Sequence, residues 1–477
     1  MPGVLVGIVL IASLLLVHFS IRAQPLPNER PLDVDEGLPL PEVGQASTVF
    51  SLTALFGAYF GITVLLGAPA LFGLAFGTAL GLVIIRRWIE ARKTERFEPF
   101  LFGLFDGGSR NATVHAMALS GAQCAYATSE LLILREIARV SLGLKPEQAT
   151  LVAIGVAIIG YFYVLFGGYM AVFRTDVVQF ALVGAMGITF GTHLFRQTTP
   201  IDWSIALLPR RGYWTFPLME PHKIVLYIYH FSIAAVMALG LLAASPDAWK
   251  RVFMVRRRQQ KAGFRFLTLL VVGVTPFLLL LPFAMAIGPI PDGPINTGEI
   301  FRNLLTSNVL FIAAVLGLVA SFLSSFNSAL LASVHVALML RRKKSFLNPE
   351  ISRFHWLMVV ALVLIYLVFS SLLSLSNPYL LGNLLLGPYA LLAGIQVGTR
   401  ANLSKLPENS LMWVTVLGLV GWFIYYVSVG TPNVPVTYQA NSVPKGVLLF
   451  FLTFFACKLL IIGKARYDRH KGRVGIS

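Results

Sequence analysis

Polar side chains are scarce in the apolar runs of this 477-residue chain, so the few present are where chemistry should be sought. The densest group lies in GLVASFLSSFNSALLASVHVA, where Ser321, Ser324, Ser325, Asn327, Ser328 and Ser333 crowd one run. In a helix, Ser321 and Ser325 share a face, and the adjacent Ser324 and Ser325 can straddle a cavity. Small hydroxyl residues at this spacing allow close helix packing. Their oxygens, with backbone carbonyls, are equally the neutral ligand set that suits a hard monovalent cation. A second run, STVFSLTALFGAYFGITVLLGAP, is interrupted by Gly57, Gly61 and Gly67 and followed by Pro69. It reads either as a Gly-rich packing face or as unwound backbone whose carbonyls can bind a cation. Ionisable residues in the apolar runs include Glu130, Asp176, His230, His335 and Lys458. At mid-membrane such a group costs at least about 2.5–3.5 kcal/mol, which marks a pathway or a site unless a partner is found. Glu130 either pairs with Arg135 or contacts a solute. His230 has the same two kinds of reading, His335 can bond a neighbouring helix, and Lys458 is placed to snorkel to the inner face.

These residues need helices in a bilayer to position them, and the composition supplies that setting. Apolar residues make up 56% of the chain and charged residues 12%, against about 25% charged in soluble domains. A disordered protein, a disulfide scaffold and an ordinary soluble enzyme are excluded. The two cysteines, Cys124 and Cys457, lie in apolar runs and form no CxxC pair. Runs long enough to cross a 30 Å apolar core predict thirteen spans, near 3–21, 48–66, 68–85, 112–134, 149–166, 175–195, 223–243, 266–288, 307–340, 356–375, 379–398, 411–430 and 446–463. The first lacks a basic flank before it and reads as a retained helix with its N-terminus outside, not a cleaved signal.

Alternating from that start puts 28 of the 38 Lys and Arg in inside segments and 9 outside, with Lys458 in the last span. This is a strong positive-inside bias, with the C-terminus cytoplasmic. The net charge of +17 thus reports orientation, and basic runs such as RRWIEARKTER and RRKK are cytoplasmic loops, not nucleic-acid patches. The expected setting is a bacterial inner (plasma) membrane. No HExxH, GxSxG or paired-carboxylate helix motif is present, so neither an enzyme nor a cofactor is expected.

Between the fifth and sixth spans the chain reads YFYVLFGGYMAVFRTDVVQFALVGAM. It resembles the sodium:solute symporter family, whose GG-x-x-AV-x-x-TD-x-x-Q signature is matched by Gly167, Gly168, Ala171, Val172, Thr175, Asp176 and Gln179. SSFNSALLAS resembles that family's S-[ST]-x-x-S-x-L-x-x-S segment. FGITVLLGAP is similar to its FLG-x-P motif, and LLLGPYALLAGIQVGTRAN to its late P-x-L-x-G…[KR]-A-N segment. The basic loop SPDAWKRVFMVRRRQQKAG is loosely similar to the family's cytoplasmic loop.

The resemblance implies an all-α polytopic membrane protein of about 13 transmembrane helices. It would have the leucine-transporter 5+5 inverted repeat with extra N- and C-terminal helices. Residues 1–47 would hold the first helix and a cytoplasmic loop, 48–195 the first repeat, 196–222 an outer loop, 223–398 the second repeat, and 399–477 two helices and a basic tail. It further implies a sodium-coupled symporter of a small solute. Sodium would be held by carbonyls near Gly57 and Phe60, the Ser321 carbonyl and the Ser324 and Ser325 hydroxyls. Asp176 would lie on the inner exit path, and Glu130, His230 and Asn383 are candidates for solute contact. Coupling to another cation such as H+, or a sensor or assembly protein on the same fold, are the alternatives.

Overall fold

The computed structural model describes residues 68–92, 100–101, 104, 110–141, 143–196, 228, 231–232, 234–236, 238–240, 242–254, 308–339, 351–372, 378–400, 402–429 and 444–474. Gly57, Phe60 and His230 lie outside the described residues, as do the side chains of Asp176, Ser321 and Asn383. The named elements are α1 (Ala68–Arg92), α2 (Arg110–Ser141), α3 (Pro146–Arg196), α4 (Pro246–Met254), α5 (Asn308–Met339), α6 (Ile351–Leu372), α7 (Pro378–Thr399), α8 (Ser410–Val429) and α9 (Pro444–Val474). Helix is what apolar surroundings require, because each backbone N–H and C=O must be satisfied within its own segment. Four of these helices hold stretches long and apolar enough to cross a membrane: Phe72–Ala91, Pro146–Phe166, Phe354–Ser371 and Gly446–Lys471.

The fifth and sixth spans depart from the expected layout. A cytoplasmic segment is expected over 167–174, yet helical structure runs through Pro146–Arg196 and breaks only at Gly168. Gly168 adopts φ 54° and ψ −148°, a region essentially confined to residues without a Cβ. The second glycine of the GG pair is therefore the corner, and no loop is needed. Asp176 does not open its helix but lies two turns into the second half of α3. The fourth span likewise extends beyond its expected limits, to Arg110–Ser141.

Helix α5 packs mainly on α3 and α2, and α7 on α9 and α2. One core joins α1, α2, α7 and α9 with residues 239–253, including Trp88, Phe100, Trp249 and Tyr389. A second joins α2, α3, α5 and α6 through Tyr163, Tyr169, Phe326 and Phe354. Helix α2 belongs to both. Facing outward, α9 shows Leu448, Phe451, Leu452, Phe455, Leu459 and Ile462, an apolar stripe suited to lipid.

Between helices the seams are built from small residues, because lipid removes the hydrophobic drive for association and close approach must replace it. Gly73, Gly77 and Gly81 recur every four residues on α1. A Cβ at Gly73 or Gly77 would strike the backbone carbonyl of Phe231 or Ala235, and one at Gly81 would press on Leu242. Gly394 and Gly398 of α7 do the same against Thr453 and Phe454 of α9.

The turn into α8 is held from a distance. Asn111 Nδ2 donates to the Pro407 carbonyl at 2.9 Å, and the Leu411 N–H donates to Asn111 Oδ1 at 3.3 Å. Removing one partner strands buried polar groups. Asn111→Ala is therefore expected to lower stability by about 1–3 kcal/mol, read as a reduced unfolding midpoint in detergent. An unchanged midpoint would show that these two bonds do not hold the turn.

Candidate functional site

Helix α2 carries a polar stripe that the sequence reading did not extract. Asn111, His115, Gln123, Tyr126 and Glu130 follow one another at three-, four- and eight-residue steps, the spacing of one helix face. All but Tyr126, which is partly covered, are buried. Each member reaches a different element. His115 Nε2 lies 3.0 Å from Gln396 Nε2 of α7. Gln123 Nε2 donates to the Ala244 carbonyl at 3.1 Å. Beside the stripe, Ser120 Oγ donates to the Ser333 carbonyl at 3.0 Å, and Cys124 Sγ lies 3.0 Å from Ser333 Oγ.

At the lower end of the stripe, α2, α5 and α7 converge. The Tyr126 hydroxyl is in hydrogen-bond contact with both Ser325 of α5 and Glu130 one turn along α2. The rings of Tyr126 and Tyr389 meet edge to face, 5.9 Å apart at 80°. Glu130 is 2% exposed, and its Oε2 has no hydrogen-bond partner among the described residues. The hydroxyl of Tyr389 is likewise buried without one. Arg135, the alternative partner for Glu130, instead donates from Nε to Thr150 Oγ1 at 2.9 Å. Among the described residues, then, the Glu130–Arg135 ion pair does not form, because Arg135 is one turn past Glu130 and turns toward α3.

Helix α5 is polar on more than one side. Ser324, Ser325, Asn327, Ser328 and Ser333 are all buried. Ser325 and Ser333 face α2, whereas Asn327 faces Gly160 of α3, where a Cβ would collide with its Oδ1. Neither polar side-chain atom of Asn327 has a hydrogen-bond partner among the described residues. The structure thus brings Ser325 and Glu130 together through Tyr126 and buries Ser324 as well.

His335 takes its expected role of bonding a neighbouring helix: its Nδ1 lies 3.4 Å from the Tyr169 hydroxyl. Tyr169 follows the Gly168 corner and receives Lys250 Nζ over its ring at 4.1 Å, a cation–π contact. This buried Lys250–Tyr169–His335 chain joins α4, α3 and α5. It was not legible beforehand, because its members are far apart in sequence. Lys458 lies over the Phe454 ring at 5.7 Å.

No family model matches the chain, and no curated protein matches it in sequence. Solved structures do. One is a Na+-coupled sialic acid symporter in a substrate-bound outward-open state, with a TM-score of 0.60 and 16% identity over 95% of this chain and 97% of the other. Another is a nucleobase-cation-symport-1 family transporter, closed with bromovinylhydantoin bound. Its TM-score is 0.51 and its identity 14%, over 92% of this chain and 96% of that one. The protein is an integral membrane protein with the leucine-transporter fold.

Proposed function

We propose that the chain is a sodium-coupled secondary symporter of the sodium:solute symporter type, taking up a small solute by alternating access. The carrying observation is the junction of α2, α5 and α7, where buried Ser325 adjoins Tyr126, which in turn adjoins Glu130. Hydroxyl oxygens of this kind can replace part of the hydration shell of a hard monovalent cation. The fold shared with two cation-coupled carriers supports the reading. In it, repeat one spans 48–195 and repeat two 223–398, with about thirteen helices in all. Sodium is held by carbonyls near Gly57 and Phe60, the Ser321 carbonyl and the Ser324 and Ser325 hydroxyls. Asp176 serves the inner exit path, and Glu130, His230 and Asn383 meet the solute. The inward sodium gradient and the membrane potential, worth about 2.3 kcal/mol per charge per 100 mV, drive accumulation.

The test is thermal unfolding of the purified protein in sodium against potassium at equal ionic strength. A ligand at 100 times its Kd stabilises by about 2.7 kcal/mol, so saturating sodium should raise the midpoint by several degrees. Equal midpoints in the two salts would remove sodium coupling.

A further inference from the structure

The Glu130 site has a chemical signature that narrows the solute. Glu130 is enclosed, its Oε2 meets no donor among the described residues, and a neutral phenol, Tyr126, lies against it. Arg135, the nearest basic residue in sequence, bonds to Thr150 instead. A buried carboxylate without a cation is costly, and among the described residues no cationic side chain bonds Glu130 Oε2. Two aromatic rings, Tyr126 and Tyr389, meet each other edge to face, and both phenols lie near enough to Glu130 to feel its charge. The Tyr389 hydroxyl offers a further polar atom, also buried and without a hydrogen-bond partner among the described residues. Carboxylate charge with flanking aromatic faces is the arrangement that recognises organic ammonium groups. A solute carboxylate or inorganic anion would meet repulsion at the same point.

We propose that Glu130, Tyr126 and Tyr389 form the subsite for the cationic end of a small organic ammonium solute, next to Ser325 on α5. This rests on the symporter reading given above and adds the class of solute to it. Sodium and solute would then lie on either side of the Tyr126 hydroxyl, which touches Ser325 and Glu130 at once. Both positive charges would share one buried carboxylate, so each binding event would alter the field felt by the other.

The experiment uses the purified full chain in sodium and follows the unfolding midpoint and direct binding by calorimetry. The probes are ethylammonium, tetramethylammonium and choline, with 3,3-dimethylbutan-1-ol as the neutral isostere of choline, and glucose and acetate as a neutral and an anionic solute. At least one ammonium probe is expected to bind and raise the midpoint, while the isostere, glucose and acetate do not. Glu130→Gln should weaken that binding at least tenfold. The proposal is overturned if the neutral isostere binds as well as choline, or if glucose or acetate binds in place of the cations. It is also overturned if no ammonium probe binds, which would leave a proton as the partner of Glu130. Should Glu130→Gln fail to fold, choline against its isostere on the unaltered protein decides alone. The sodium-against-potassium comparison without solute separates the two readings: a retained sodium shift with no ammonium binding removes this inference only.

Discussion

Ser325→Ala should weaken sodium binding by about 10- to 100-fold, a loss of roughly 1.4–2.7 kcal/mol. The expectation follows from the proposed ligand set. One of its hydroxyl oxygens is removed from a position that is 1% exposed, where water cannot readily take its place. The sodium-dependent rise in unfolding midpoint should therefore shrink or vanish at concentrations that saturate the unaltered protein, and sodium-driven uptake should fall with it. Ser333→Ala is the matching control. Its hydroxyl is 3.1 Å from Ser120 Oγ and 3.0 Å from Cys124 Sγ, so its loss should lower stability in every salt and leave the sodium dependence intact. A Ser325→Ala protein with the full sodium response would place the cation elsewhere and detach the α5 hydroxyls from coupling.

Gly77→Leu should be the most damaging single substitution in α1. The built Cβ meets the backbone carbonyl, carbonyl carbon and Cα of Ala235, none of which can rotate aside as a side chain could. Overpacking a tight contact typically costs about 1–3 kcal/mol, occasionally more, and a branched side chain against fixed backbone belongs at or above the top of that range. Separation of α1 from the helical residues near 235 should appear as loss of monodisperse protein on size exclusion, or as a large fall in unfolding midpoint. Gly121→Ala on α2, where a Cβ meets nothing within 4 Å, should leave both unchanged. Equal tolerance of the two substitutions would mean that the α1 seam does not require close approach.

Much of the membrane architecture was legible because bilayer thickness and helical period impose themselves on any spanning segment. The apolar runs at 307–340, 379–398 and 411–430 appear as the helices Asn308–Met339, Pro378–Thr399 and Ser410–Val429. The GG pair was visible as a motif, but its use as a corner was not. A loop was expected at 167–174, and only the backbone shows that one glycine in a forbidden region replaces it. The polar stripe on α2 could have been read from its three- and four-residue spacing, since the residues share a face whatever surrounds them.

The chain by itself determined the class of environment and the apolar segments, because these depend on transfer free energies that act residue by residue. It also marked Glu130 and the α5 serines as polar groups out of place. Only the tertiary structure decided their company: that Arg135 turns to Thr150, that Tyr126 joins Glu130 to Ser325, and that Tyr389 closes on Tyr126 from 263 residues away. Those pairings depend on which helix faces meet, and that choice is made by packing between segments. Nothing in the local sequence encodes it.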